Sequence, residues 1–298
     1  MRDLYGGIEA GGTKFVCLVG RGPEDIVDRL RIPTDSPTET IQRVLDFFRP
    51  FAAEGRLAGV GIGTFGPVDL NPASDTFGYV TTTPKPGWAF TDLFGAVQRG
   101  LDLPAVIDTD VNAAACGEQA WVGANRGLDP FLYMTVGTGI GVGAVINGRP
   151  LHGLIHPEGG HMFLPHDRQA DPFEGACPFH GDCLEGLASG TAMARRWGQP
   201  AECLPQHHPA WELEAGYIAQ ALVNLVAIFS PQRIVLGGGV FQHVGLLAAV
   251  RSGVKQRANG YFKSKMILET IDEYIVPPAL GDLSGVLGAI AMARANAG

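Results

Sequence analysis

The chain has 298 residues, of which 46% are hydrophobic and 17% charged, enough apolar content for a sizeable core and, at this length, for two domains. A formal charge of −8, a pI near 5.4 and the absence of any Lys/Arg run disfavour nucleic acid and anionic membrane as partners; a small neutral substrate fits better. Five cysteines, an N-terminus Met1-Arg2-Asp3-Leu4-Tyr5 with no apolar signal core, and no apolar run of membrane-spanning length make the reducing cytoplasm the expected compartment.

Residues 4–19 read as a hairpin of two apolar strands around Glu9-Ala10-Gly11-Gly12-Thr13-Lys14. Glycine lets the backbone approach an anion closely, and Thr13 and Lys14 add a hydroxyl and a charge; taken alone, an unliganded Gly-Gly hairpin turn is the commoner explanation. A helix is predicted at about 37–54 behind Ser36-Pro37, with Ile41, Val44, Leu45, Phe48 and Phe51 at near-helical spacing. A buried strand over 57–63 runs into Gly63-Thr64-Phe65-Gly66-Pro67, a position where ligands sit in open α/β sheets. Residues 71–89 read as a long aperiodic loop, expected to cover a substrate.

Val106-Ile107-Asp108-Thr109-Asp110-Val111-Asn112 reads as a short strand entering a helix over about 111–122. Asp110 near the helix start has two open readings: a general base for a substrate hydroxyl, oriented by Asn112, or an N-cap aspartate. Asp108 reads as its structural neighbour. Residues 131–147 then repeat the opening device, with a strand to Val136, the turn Gly137-Thr138-Gly139-Ile140-Gly141 and a second strand. Two strand–glycine-turn–strand units 126 residues apart, counted from Gly11 to Gly137, imply two similar domains whose turns can grip one polyphosphate from both sides.

Next comes the segment richest in ligating side chains. Cys177, His180 and Cys183 fall at three-residue intervals in a turn-rich stretch, and His161 in His156-Pro157-Glu158-Gly159-Gly160-His161 can close a tetrahedron. Four N/S ligands would make a structural zinc site, stabilising a Gly- and Pro-rich loop; a Cys177–Cys183 disulfide with ordinary surface histidines is the other reading. Glu158 and Glu185 are left as carboxylates suited to a polyhydroxyl ligand or as solvated loop charges. Cys17, Cys116 and Cys203 read as plain thiols. Helices are predicted over 184–197 and about 210–229, then a strand Arg233-Ile234-Val235-Leu236 ending in Gly237-Gly238-Gly239, where a nucleoside can lie against bare backbone. Gly281-Asp282-Leu283-Ser284-Gly285 opens a small-residue helix to about 296.

The ordered set Glu9 to Lys14, Asp108 to Asn112, Gly137 to Gly141, Glu158 to His161, Cys177 to Glu185 and Gly237 to Gly239 resembles the sugar kinases of the ROK group (repressors, open reading frames and kinases) across nearly the whole chain. Within it, Gly7-Ile8-Glu9-Ala10-Gly11-Gly12-Thr13-Lys14-Phe15 and Cys177-Pro178-Phe179-His180-Gly181-Asp182-Cys183 are similar to the zinc-containing bacterial fructokinases. The resemblance implies an α/β, actin-like ATPase (ribonuclease H-like) fold of two domains related by duplication. The expected division is a smaller domain over 1–110, with a helix at about 284–296 packing back on it, and a larger one over 111–283 carrying the zinc loop.

Carried over by position, the resemblance makes Asp110 the catalytic base and puts Asn112, Glu158, His161 and Glu185 on sugar hydroxyls. It puts Gly11, Gly12, Thr13, Lys14, Gly137, Thr138 and Gly139 on phosphates and Gly238 and Gly239 beside the nucleotide, with His161, Cys177, His180 and Cys183 on zinc. His161 thus serves both zinc and sugar. The implied cofactors are ATP, Mg2+ and structural Zn2+, the implied partner a small sugar, and the implied assembly a homodimer. Most of the group has Asp where this chain has Glu9, and a third cysteine where it has His180. The expected activity is phosphorylation of D-fructose at O6, with another hexose (glucose, mannose or an N-acetylhexosamine) as the rival acceptor. A sugar-responsive repressor would carry a helix-turn-helix before the first glycine turn, which here begins within a dozen residues of Met1. A noncatalytic sugar-binding module would not need Asp110 or both phosphate turns.

Overall fold

Alternation sorts the side chains of the first strands onto two faces. In the computed structural model, which describes residues 4–297, strand β1 (Leu4–Ala10) pairs antiparallel with β2 (Lys14–Gly22), and β2 with β3 (Asp25–Pro33). Helix α1 (Pro37–Ala53) leads to β4 (Leu57–Thr64), and the short strands β5 (Tyr79–Val80) and β6 (Thr91–Asp92) pair with each other ahead of α2 (Leu93–Leu101). Then come β7 (Ala105–Thr109) and α3 (Asp110–Trp121). After them follow β8 (Phe131–Val136), β9 (Ile140–Ile146), β10 (Arg149–Pro150), α4 (Leu184–Ala188), α5 (Gly190–Trp197) and α6 (Ala210–Phe229). The chain ends with β11 (Arg233–Gly237), α7 (Leu246–Ala258), the one-turn helices α8 (Lys265–Leu268) and α9 (Ile271–Tyr274), β12 (Ile275–Val276) and α10 (Ser284–Asn296).

Two compact units result. The first contains the chain up to Gly127, Gly143–Pro157 and the chain from Ala279 on; the second contains Leu128–Val142 and Glu158–Pro278. In the first, the sheet order is β3-β2-β1-β4-β7, with β1, β4 and β7 parallel. Phe15, Cys17 and Val19 of β2 enter one core with Val44, Leu45 and Phe48 of α1 and Val97 of α2, while Val16 and Leu18 meet Val286, Leu287 and Ile290 of α10 on the other face. This is the period-2 reading of a strand buried on both sides. Helix α1 starts where the sequence predicts: the Ser36 hydroxyl caps the Glu39 N–H and Pro37 opens the first turn.

Helix α10 approaches the sheet closely because small residues face it. A Cβ on Gly61 would run into the Ala289 carbonyl, and one on Gly288 into the Ala113 carbonyl, so any larger residue at either place would force the elements apart. Glu118 of α3, fully buried, accepts hydrogen bonds from the Ala279 and Leu280 N–H groups (3.1 and 2.9 Å) and the Ser284 hydroxyl (2.8 Å), which fixes the start of α10.

In the second unit β8, β11 and β12 are parallel and β9 starts after the turn at Gly137–Gly139; the far end of β9 and β10, which pair antiparallel, belong to the first. The predicted helix over 184–197 is two helices, α4 and α5, because Ser189 adopts an extended conformation (φ −77°, ψ 161°) and caps the second with its side chain. The loop predicted over 71–89 contains β5. One further expectation is corrected: α6 is, by length and composition, apolar enough to cross a membrane, and half of its most apolar window is buried inside the fold.

Candidate active site

In the first unit the site begins at the end of β7. Asp108, 3% exposed, accepts from the Thr109 N–H and from Asn112 Nδ2 on one oxygen (2.7 Å each), and its other oxygen lies 2.8 Å from His152 Nε2. Asn112 in turn accepts from the Ala144 N–H (3.2 Å), and Thr109 Oγ1 accepts from the Asn112 N–H (3.1 Å). The N-cap is therefore Thr109, and Asp110 is the first helical residue, which corrects the N-cap reading of Asp110. Half-buried Asp110 accepts from the Val111 N–H (2.8 Å) in the first turn of α3. Asn112 is 1% exposed with both ends of its amide engaged, so it braces the Asp108–Ala144 junction whatever else it contacts.

Two histidines hold the neighbouring segment. The hydrogen bond to Asp108 raises the His152 pKa above its usual value. His156, 3% exposed, accepts from the Val68 N–H through Nε2 (3.2 Å), and burial lowers its pKa. His152 has no role in the sequence reading; the spacing His152–His156 is the one signal that marks it, and its partner lies 44 residues away.

The first glycine turn is closed by the Gly11 N–H donating to the Lys14 carbonyl (3.0 Å), and Gly12, Thr13 and Lys14 are exposed. Glu9 precedes it with Oε2 buried and without a hydrogen-bond partner; burial raises its pKa, against the pull of Lys14. A Cβ on Gly285 would sit 2.6 Å from the Glu9 carboxyl carbon. Magnesium keeps several waters and wants open oxygens, so the enclosed Glu9 oxygen is a poor ligand for it.

In the second unit, four donor atoms of His161, Cys177, His180 and Cys183 lie within 4.8 Å of one another. Zinc bonds of ~2.3 Å to sulfur and ~2.0–2.1 Å to nitrogen in a tetrahedron require N···N near 3.3 Å and N···S near 3.6 Å. The cage has His161 Nδ1 to His180 Nδ1 at 3.3 Å, Cys183 Sγ to His161 Nδ1 at 3.5 Å, and Cys177 Sγ to each Nδ1 at 3.7 Å. The residues therefore fit zinc, and both cysteines are free thiols, which corrects the disulfide reading. A bridge between Phe163 and Cys183 ties the two ligand-bearing segments together, and one between Cys177 and Gly181 closes the second segment on itself.

Glu158 and Glu185 come together beside this cage. Burial, then the charge of Glu185, pushes the Glu158 pKa up to about 7. Glu185 Oε2 accepts from the Ile140 N–H (2.9 Å), and a Cβ on Gly139 would meet that oxygen at 2.5 Å. The carboxylate thus reaches the second glycine turn, Gly137–Gly139. Gly238, at φ +98°, tucks against the Val136 backbone just before that turn, where a Cβ would clash.

Comparison with known protein families matches residues 5–296 to the ROK family. The chain belongs to the ROK family. Among ROK relatives, the fructokinase of Zymomonas mobilis is 44% identical over 306 aligned residues (99% of this chain, 97% of that one), and the fructokinase of Streptococcus mutans 41% identical over 297 (99% and 98%). The crystal structure of a ROK family glucokinase from Streptomyces griseus, in complex with glucose and AMPPNP, superposes with a TM-score of 0.74 at 25% identity, covering 98% of this chain and 99% of that one. The fold is the actin-like ATPase fold of ROK proteins, α/β throughout.

Proposed function

We propose that this ROK protein is an ATP-dependent sugar kinase that transfers the γ-phosphoryl group of MgATP to O6 of D-fructose. The observation that carries the phosphotransfer reading is the mounting of Asp110: a half-buried carboxylate at the first position of α3, on a strand-to-helix junction tied by bonds among Asp108, Thr109 and Asn112. Fructose as the acceptor is supported by the two fructokinases that match this chain over nearly their whole length.

In the reaction the O6 oxygen attacks the γ-phosphorus, the bond to the bridging oxygen breaks with its electrons leaving on ADP, and Asp110 accepts the hydroxyl proton late in the transfer. Glu158, Glu185 and His161 accept and donate hydrogen bonds at the sugar hydroxyls, which holds one hydroxyl in line with the phosphorus. Asn112 orients the acceptor end. With the Gly11 and Gly137 N–H groups closing their own turns, the backbone N–H groups of Gly12, Thr13, Thr138 and Gly139 receive phosphate oxygens, the Lys14 ammonium offsets their charge, and Gly238 and Gly239 leave room for the nucleoside. Magnesium enters as part of the nucleotide substrate.

His161, Cys177, His180 and Cys183 would hold zinc, which when bound supplies a fixed frame and no reacting group. With Nδ1 turned into the cage, the His161 ring meets the sugar through Nε2, its orientation set by the cage. A homodimer of this chain is part of the same reading.

A panel of fructose, glucose, mannose and N-acetylmannosamine with MgATP, read by ADP release and by product identity, tests it. Fructose should give the highest kcat/KM and fructose 6-phosphate the product. A higher kcat/KM for another hexose overturns the acceptor, and no ATP turnover with any sugar overturns the kinase reading. Size-exclusion with light scattering reads the dimer.

A further inference from the structure

Each glycine turn is held from behind by the hydroxyl of a threonine from another segment. Thr34 Oγ1 donates to the Gly11 carbonyl at 2.7 Å, and Thr191 Oγ1 donates to the Thr138 carbonyl at 2.7 Å. Thr34 is 6% exposed, and its own N–H donates to the Thr13 carbonyl at 3.0 Å. In the second turn the Gly190 N–H donates to the Gly137 carbonyl (2.7 Å) and the Thr191 N–H to the Thr138 carbonyl (3.4 Å), both from the start of α5. The fit is close: a Cβ on Gly190 would lie 2.8 Å from the Gly137 oxygen.

A trans peptide is planar, so its C=O and the following N–H point in opposite directions. The cis bonds are Gly66–Pro67 and Asp129–Pro130, so the turn peptides are trans. Holding the Gly11 carbonyl against Thr34 therefore turns the Gly12 N–H the other way. Holding the Gly137 and Thr138 carbonyls against α5 turns the Thr138 and Gly139 N–H groups the other way as well. Gly12 and Thr138 are exposed and Gly139 half-buried, and by the planarity of each peptide their N–H groups point away from the bracing segment. Successive N–H groups on one side of a turn form an anion-binding concavity. The two threonine hydroxyls do the same job in the two units.

We propose that Thr34 and Thr191 are positioning residues for the nucleotide: each fixes a turn carbonyl, and thereby aims the next N–H, of Gly12 or Gly139, at a phosphate oxygen. The inference rests on the reading of both turns as phosphate-holding. It adds two residues that touch neither phosphate nor sugar and act only through backbone direction.

Thr191→Val keeps the β-branched shape and removes the donor. Titration of ADP without sugar should show a Kd raised roughly 3- to 10-fold, the range for one neutral hydrogen bond, with the KM for ATP moving in parallel. Fructose affinity measured without nucleotide should stay at the wild-type value, and Thr191→Ser should restore ADP affinity. Thr34→Val should show the same pattern, and the double variant should multiply the two effects because the sites share no partner. Wild-type ADP affinity in both Val variants, or equal loss of ADP and fructose binding, overturns the proposal. If Thr191→Val loses its far-UV circular dichroism, Thr34→Val with its Ser counterpart decides alone. Wild-type protein that binds no ADP would instead remove the functional reading beneath it.

Discussion

The Glu185 carboxylate accepts a hydrogen bond from the Ile140 backbone N–H at 2.9 Å, which ties the start of α4 to the residue that follows the second glycine turn. A group proposed for the sugar thus has a structural bond as well, and two substitutions separate the roles. Glu185→Ala leaves the Ile140 N–H without its acceptor, at a cost of about 1–3 kcal/mol. Glu185→Gln keeps an acceptor oxygen. Urea unfolding should find the Gln variant near wild type and the Ala variant less stable, while fructose titration finds both weakened. Full fructose affinity in Glu185→Gln would take this carboxylate out of sugar binding.

Asp110→Asn should keep the fold and both ligands and lose turnover. The amide cannot accept the O6 proton, and the expected fall in kcat is on the order of 10²–10⁴. Because Thr109 rather than Asp110 caps α3 and the Asn amide oxygen can still accept from the Val111 N–H, the melting temperature should barely move. Near-normal turnover in this variant would remove Asp110 as the base.

Much of this arrangement is legible in the sequence because it is local. The glycine turns, the three-residue spacing of Cys177, His180 and Cys183, and the Asp110–Asn112 step at a strand end all lie in short windows. What could not be read are partners brought together by the sheet: His152 on Asp108, Glu118 on Ala279 and Ser284, Thr34 on Gly11. Each pairs a common polar residue with a distant segment, and nothing in the neighbouring sequence distinguishes it from a solvated side chain. The break between α4 and α5 is a different failure. Apolar spacing runs through Ser189 without interruption, and only the capping capacity of its side chain, donated to by the Ala192 N–H, marks the stop.

The His152–Asp108 pair gives stability a specific pH dependence. The folded pKa of His152 lies above its unfolded value near 6.5. Its contribution is therefore fully present below about pH 6.5 and is lost as pH rises through the folded pKa. His152→Gln can still donate to Asp108 and does not titrate. The melting-temperature difference between wild type and His152→Gln should be largest near pH 6 and shrink toward pH 9, with His156, the neighbouring imidazole, common to both proteins. A difference that stays flat or grows with pH would mean that the pair does not carry charge.

Metal removal tests the cage together with its link to the sugar. Structural zinc sites are worth roughly 10–16 kcal/mol in apparent binding free energy, comparable with the ~5–15 kcal/mol that keeps a domain folded. Outside the cage the loop from Ala176 to Cys183 is held by the Ala176 N–H on the Gly186 carbonyl, by Arg195 on the Ala176 carbonyl and by Asp182 on His166 and Arg168, bonds of about 0.5–3 kcal/mol each, so it should loosen first when the metal leaves. Cys183 also precedes α4 directly, and Glu185 stands one residue inside it. Loss of the cage should therefore disturb Glu185, His161 and Glu158 together and abolish fructose binding. The second glycine turn keeps its bonds from Gly190 and Thr191 of α5, which predicts that ADP still binds. The purified chain should carry about one zinc per molecule, and either a chelator or Cys183→Ser should remove zinc, fructose affinity and phosphorylation while ADP titration persists. Fully active protein without zinc would refute the ligand set, and simultaneous loss of ADP binding would show that the turn depends on the cage rather than on α5.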